Sequence, residues 1–174
     1  MSAQGRRSRR DWGWHRLADE WAAQVVAAAG VRPGELVLDI GAGEGALTEH
    51  LVRAGARVVA VELNSRRAAI LRERFPDITV VQADAASIRL PGRPFRVVAS
   101  PPYGMSSSLL RTLLAPGSRL VAADLVLQRA VVRRHAAAGT RRFSLAVGLL
   151  LPRRAFLPPP QVDSAVLVVR RRAR

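Results

Sequence analysis

An α/β domain built on a mostly parallel sheet is what this sequence predicts, and three observations predict it. Apolar runs of strand length alternate with stretches of helical periodicity from residue 16 to residue 138. A glycine-rich turn, Gly41-Ala42-Gly43-Glu44-Gly45, follows the first of those runs directly and opens a helix. A length of 174 residues with 49% hydrophobic content suits one such domain with a real core.

The elements follow in order. Residues 16–29 place Leu17, Trp21, Val25 and Val26 on one helical face, and Val31-Arg32-Pro33-Gly34 turns the chain. Residues 35–40 make the first strand. A helix over 46–54 leads to the second strand, 57–62, and a helix over 65–75 is stopped by Pro76. The third strand is 78–82, and Pro91-Gly92 marks a loop before the fourth, 95–99. Helix 106–115, strand 120–127 and helix 128–138, closed by Gly139, continue the alternation. The tail changes character, because strands 143–151 and 165–169 are joined by a Pro-rich link too short for a helical crossover. They should form an antiparallel hairpin at the sheet edge.

The formal charge is +15, from 28 arginines, no lysine and 13 acids. Arginine in place of lysine fits a GC-rich genome, but that does not account for the excess over acids. Residues 1–16 hold five Arg against Asp11, residues 129–142 five Arg and no acid, and residues 153–174 six Arg against Asp163. Such clusters are the footprint of phosphate-backbone binding, and they mark Arg6, Arg7, Arg9, Arg10, Arg133, Arg134, Arg141 and Arg142 as candidate contacts. Trp12 and Trp14 beside the first cluster either stack on unpaired bases or pack as an N-terminal flap. With no cysteine there is neither a disulfide framework nor a thiolate metal site. The N-terminal arginines precede no apolar stretch of signal-peptide type, and no segment reaches the roughly 18 apolar residues of a membrane span. A cytoplasmic monomer without membrane or metal is the expectation.

Gly41, Gly43 and Gly45 lack a Cβ, so the turn is tight and a ligand can approach the helix N-terminus closely. Glu62 ends the second strand 19 residues after Gly43, where a carboxylate accepts ribose hydroxyls. Nicotinamide dinucleotides and S-adenosylmethionine both fit that pattern, although Ala46 stands where G-x-G-x-x-G has its third glycine. Asp84, just after the third strand, either accepts from an adenine amino group or caps a helix. Asp39 orders the glycine loop. The fourth strand runs straight into Ser100-Pro101-Pro102-Tyr103, beside the same crevice. Ser100 Oγ and the Pro101 carbonyl can accept the two hydrogens of an exocyclic amine and aim its lone pair, while Tyr103 stacks on the base. A base inside a duplex cannot reach such a pocket, so the target must be unpaired or flipped out.

From Trp12 to Arg172 the chain resembles the ribosomal RNA adenine N6-methyltransferases, and within them the Erm type that confers macrolide, lincosamide and streptogramin B resistance. The likeness rests on Asp39-Ile40-Gly41-Ala42-Gly43-Glu44-Gly45-Ala46-Leu47-Thr48, Val61-Glu62, Gln82-Ala83-Asp84-Ala85 and Ser100-Pro101-Pro102-Tyr103-Gly104-Met105-Ser106-Ser107. Its most specific part is Phe156-Leu157-Pro158-Pro159-Pro160-Gln161-Val162-Asp163-Ser164-Ala165-Val166. The resemblance implies a Rossmann-like class I S-adenosyl-L-methionine-dependent methyltransferase, with a mostly parallel seven-stranded sheet. It implies transfer to N6 of an adenine in 23S ribosomal RNA by Ser100, Pro101 and Tyr103, with cofactor contacts from Gly41, Gly43, Glu62, Asp84, Ala85 and Ser100. The family's Gln-Asn-Phe-Leu segment reads Trp14-His15-Arg16-Leu17 here, which adds His15 and Leu17 by position.

Two departures stand out. Ser100 occupies the place of the family's usual asparagine and is shorter by one heavy atom. The family continues into a helical C-terminal domain, whereas this sequence ends at Arg174. The expectation is therefore a basic tail over 1–15 and one catalytic domain over 16–174, with arginine clusters replacing the helical domain's grip on RNA. A small-subunit rRNA adenine dimethyltransferase, a cytosine N4-methyltransferase (favoured by Ser100) and a catalytically weak rRNA-binding assembly factor are the alternatives.

Overall fold

The computed structural model describes residues 14–173, so Arg6, Arg7, Arg9, Arg10 and Trp12 lie outside the described residues. Seven strands form one sheet, in the order 79–81, 57–61, 36–40, 95–99, 120–128, 164–171, 143–151 from one edge to the other. Five of them, β2 (Leu36–Ile40), β3 (Arg57–Val61), β4 (Thr79–Val81), β5 (Phe95–Ala99) and β6 (Leu120–Gln128), run parallel. The last two, β7 (Phe143–Leu151) and β9 (Ser164–Arg171), are antiparallel to each other, and β9 also pairs antiparallel with β6. The tail is thus the expected hairpin, with β9 inside the sheet and β7 at its edge.

Alternation along the strands splits the core into two layers. Leu38, Ile40, Phe95, Val97 and Ala99 face one side, packing with Leu109 and Leu113 of α4 (Ser106–Leu113) and Val132 of α5 (Arg129–Ala138). Val37, Val58, Val98 and Val126 face the other, against Val25 and Val26 of α1 (Asp19–Ala29) and Leu47 and Leu51 of α2 (Ala46–Arg53). The remaining helix, α3 (Ser65–Arg74), is capped by Asn64, whose side chain accepts from Arg67 N at 3.1 Å.

One element departs from expectation. The helix predicted over 16–29 begins only at Asp19, because Arg16–Leu17 form a strand, β1, paired antiparallel with β8 (Phe156–Leu157). Ala18 N donates to Ala155 O at 2.8 Å, and the Ala18 carbonyl then accepts from Ala22 N to start α1. Local periodicity favours helix here, but the long-range backbone bonds prevail, and they carry the N-terminal segment onto the Pro-rich motif.

Between β2 and β5 the chain reverses its direction of travel across the sheet. Crevices at such points, beyond the strands' C-terminal ends, are where open α/β sheets bind ligands.

Candidate active site

The glycine loop leaves β2 at that crevice. Gly41 and Gly43 have φ of 74° and 60°, conformations that side chains penalise. Gly41 N and Ala42 N donate to Val61 O at 2.8 and 3.0 Å, stitching the loop to the end of β3. Next along the chain is Glu62, only 6% exposed, which accepts from Gly43 N at 2.8 Å through one oxygen and from Asn64 N at 2.9 Å through the other. Each carboxylate oxygen keeps a lone pair for a ribose hydroxyl. Asp39, 1% exposed, accepts from Thr48 Oγ1 at 2.7 Å, which ties β2 to the first turn of α2. Burial pushes its carboxyl up to about 7; the Glu62 charge pushes the same way, and the Thr48 bonds oppose.

Asp84 is exposed and caps the short 3-10 turn Ala85–Ser87, accepting from Ala86 N at 2.9 Å. That is the capping role weighed from sequence, and its second oxygen is left for a ligand. Ala85 is buried beneath it.

The other half of the site is delivered by β5. Ser100 is half-buried at the strand's end, Pro101 is buried, and Tyr103 opens a 3-10 turn, Tyr103–Met105. The Tyr103 hydroxyl shares a hydrogen bond of 2.7 Å with Ser164 Oγ. Burial pushes the phenol above its usual value, although the Ser164 bond opposes this, so the hydroxyl keeps its proton. The ring of His15 stacks on Tyr103, with centroids 5.8 Å apart and planes 26° from parallel. His15 Nδ1 donates to the Pro158 carbonyl at 2.7 Å.

The two halves touch. A Cβ on Gly41 would come within 3.2 Å of both Pro101 Cα and Pro102 Cδ, so only glycine allows the loop and the Ser-Pro-Pro-Tyr turn to lie this close. His15, Leu17, Asp39, Gly43 and Ser100 line one cavity between them, together with Trp14. It measures about 20 Å³, room for one water. The Trp14 indole lies over Gly43, where a Cβ would meet its Nε1 at 2.9 Å, and the Arg67 guanidinium sits 3.8 Å from the ring centroid. The loop, Glu62 and Asp84 offer the donors and acceptors a ribose-bearing cofactor needs.

The structure therefore gathers His15, Leu17, Gly41, Gly43, Glu62, Ser100, Pro101 and Tyr103 at one crevice. It does not gather the arginines. Arg133 and Arg134 are exposed on α5, whereas Arg141 and Arg142 lie near the start of β7, which pairs with Arg171 at the opposite end of the sheet. Arg142 is also engaged, donating to Ala115 O at 3.1 Å. Sequence reasoning gave no role to Ser164, Pro158 or Thr48. The first two lay within the quoted Pro-rich motif, and Thr48 within the quoted glycine-loop motif. It counted Arg16, Arg129, Arg153 and Arg154 in the basic clusters without singling them out, and they are exposed at the sheet end that holds Ser100.

A mostly parallel seven-stranded sheet with an antiparallel hairpin at one edge, a glycine loop at its reversal point and an acid just past the next strand is a Rossmann-like methyltransferase fold, the fold of the solved structures it resembles. The chain belongs to the ribosomal RNA adenine dimethylase family, whose model matches residues 5–174. It is 34% identical over 178 residues to the ribosomal RNA small subunit methyltransferase A of Leptothrix cholodnii, covering 91% of this chain and 66% of that protein. It is 36% identical over 190 residues to the protein of the same name from Myxococcus xanthus, covering 99% and 67%. Among solved structures, the 23S rRNA methyltransferase ErmE superposes with a TM-score of 0.81 at 34% identity, over 91% of this chain and 70% of that one. The chain thus spans about two thirds of the length of the curated relatives it matches. The resemblance holds at the level of the family, while the relatives' names divide between the two ribosomal subunits.

Proposed function

We infer that this protein transfers a methyl group from S-adenosyl-L-methionine to N6 of an unpaired or flipped adenine in ribosomal RNA. The observation that carries this reading is the contact of the Gly41 loop with Pro101 and Pro102, which sets the cofactor half against the amine half of the site. When bound, the cofactor supplies an electrophilic sulfonium methyl. Glu62 holds its ribose, Asp84 its adenine, and the main chain at Gly41 and Gly43 leaves space for the rest. Ser100 Oγ and the Pro101 carbonyl accept from the amine, and the face of Tyr103 not covered by His15 stacks on the base. Arg16, Arg129, Arg153 and Arg154 ring the same end of the sheet and meet the RNA backbone, with Arg133 and Arg134 on the adjoining helix.

The ErmE likeness favours 23S rRNA as the substrate, and the Erm-type motifs favour resistance to macrolides, lincosamides and streptogramin B with it. The small-subunit relatives favour the second reading, an adenine of the small-subunit rRNA. Mass mapping of both rRNAs from cells with and without the gene decides: a gene-dependent methyl on a 23S adenine, with a raised macrolide tolerance, supports the first. A methylated cytosine, or no new methyl on either rRNA, would overturn both.

A further inference from the structure

The end of the sheet away from Ser100 holds a larger cavity than the one beside it. Where β2, β3 and β5 begin, Glu35, Leu36, Arg57, Arg93, Pro94 and Arg96 help to line a space of about 260 Å³, against about 20 Å³ at the glycine loop. None of its arginines belongs to the three basic clusters of the sequence. The fold brings them together, because β3 and β5 flank β2 in parallel, two strand spacings or about 10 Å apart.

Arg96 is the buried member, 8% exposed. Its guanidinium donates to Gly30 O at 3.2 Å, to Glu35 Oε2 at 3.0 Å and to Ala29 O. Its Nε is buried without a hydrogen-bond partner among the described residues, so the fold keeps a cation here that its own acceptors do not fully satisfy. Arg57 and Arg93 are exposed, and neither guanidinium has a hydrogen bond, ion pair or ring contact among the described residues. The one acid lining the cavity, Glu35, is already paired with Arg96. Two uncompensated cations therefore line one space, and Pro94 and Val121, the latter 42% exposed, add apolar surface to it. Guanidinium N–H forks match the oxygens of a phosphate, and apolar surface beside them matches a sugar or base.

We propose that this cavity is a second ligand site, separate from the methyl-transfer crevice, which takes the phosphate of a nucleotide through Arg57 and Arg93 and lays its sugar or base along Pro94 and Val121. The nucleotide is either free or one unit of an RNA chain. The two sources share the phosphate and differ in presenting it as a monoester or a diester.

Calorimetric titration of the full chain with uridine monophosphate, the dinucleotide UpU and uridine tests this, and the uracil probes avoid competition for an adenine-binding crevice. Uridine monophosphate should bind at least about tenfold more tightly than uridine. Arg57→Gln and Arg93→Gln together should remove that advantage, with the far-UV spectrum and Tm unchanged, since neither side chain holds a partner in the fold. UpU binding as tightly as the monophosphate supports the site and assigns it to an RNA backbone; UpU binding no better than uridine supports it and assigns it to a free nucleotide. Equal binding of uridine and its monophosphate, or no binding of either phosphate, would overturn the proposal. So would an affinity that survives the double substitution and falls instead with Arg129→Gln, Arg153→Gln and Arg154→Gln at the other end of the sheet.

Discussion

Asp39 shows how a buried side chain that ties β2 to α2 shapes the glycine loop at the cost of stability. Burial pushes its carboxyl from an ordinary 3.8 up to about 7, against the lowering by the Thr48 bonds. Between those values the folded state binds a proton the unfolded state has lost. The stability linked to this group is therefore fully present below pH 3.8 and is lost as pH rises to about 7. Asp39→Asn keeps an acceptor for Thr48 and cannot ionise. Relative to the native protein it should gain stability steadily from pH 4 to pH 7 and level off above, by at most about 4 kcal/mol. Denaturant titrations at several pH values check this, and a difference that is flat with pH would exclude it. At the amine site, Ser100→Ala should lower methyl transfer by about 10². Tyr103→Ala should lower it comparably, both with unchanged far-UV spectra, and normal turnover in both would remove the amine-site assignment. The placement of Ser100 and Tyr103 just past a strand end was legible in sequence, because the apolar run of β5 leads straight into them. Ser164, which meets the Tyr103 hydroxyl from 61 positions away, was not, since only the fold supplies that contact.

At the scale of elements, the N-terminal segment does most to set the site's state. The strands and helices with strong periodicity were readable, and β5 matched to the residue, because its apolar run is bounded by Pro94 and Ser100. Strand β1 was not readable, since two residues carry no periodicity and its partner lies 140 positions on, as Arg16 pairs with Leu157 (141) and Leu17 with Phe156 (139). Yet β1 brings Trp14 onto Gly43 and His15 onto Tyr103. If the cofactor approaches the loop over Gly43, where the indole lies, its binding would displace Trp14 from Arg67. Cation–π contacts contribute on the order of 0.5–2 kcal/mol, so on that reading Trp14→Ala should tighten S-adenosylmethionine binding by about twofold to thirtyfold. Calorimetric titration measures it, and weaker binding in the variant would mean that Trp14 holds the cofactor instead. Gly41→Ala tests the neighbouring contact: its Cβ would press on the Pro101 backbone at 3.2 Å in a left-handed conformation. It should cost about 1–3 kcal/mol of stability and depress kcat beyond the loss in cofactor affinity.

Over the whole molecule the arginines are distributed more widely than their sequence clusters suggest. Strand β6 is nine residues long, so the two ends of the sheet are about 30 Å apart. Arg141 and Arg142 stand near one end and Ser100 at the other, while Arg16, Arg129, Arg153 and Arg154, scattered in sequence, share the Ser100 end. Charge was legible in composition; its convergence was not, because strand direction decides which end of the sheet an arginine reaches. Each phosphate neutralised on RNA adds about 0.7–0.9 to the slope of log affinity against log salt. Replacing Arg129, Arg153 and Arg154 together by Gln should thus reduce that slope by about 2, whereas replacing Arg141 and Arg142 should leave it nearly unchanged. Deleting residues 1–10, which removes Arg6, Arg7, Arg9 and Arg10, should reduce it by about 3 if all four meet phosphate. Affinities for an rRNA hairpin measured from low to moderate salt read all three slopes. An unchanged slope in the deletion would remove the N-terminal cluster from the RNA interface, and a larger effect from Arg141 and Arg142 than from the three rim arginines would place the RNA at the wrong end of the sheet for Ser100.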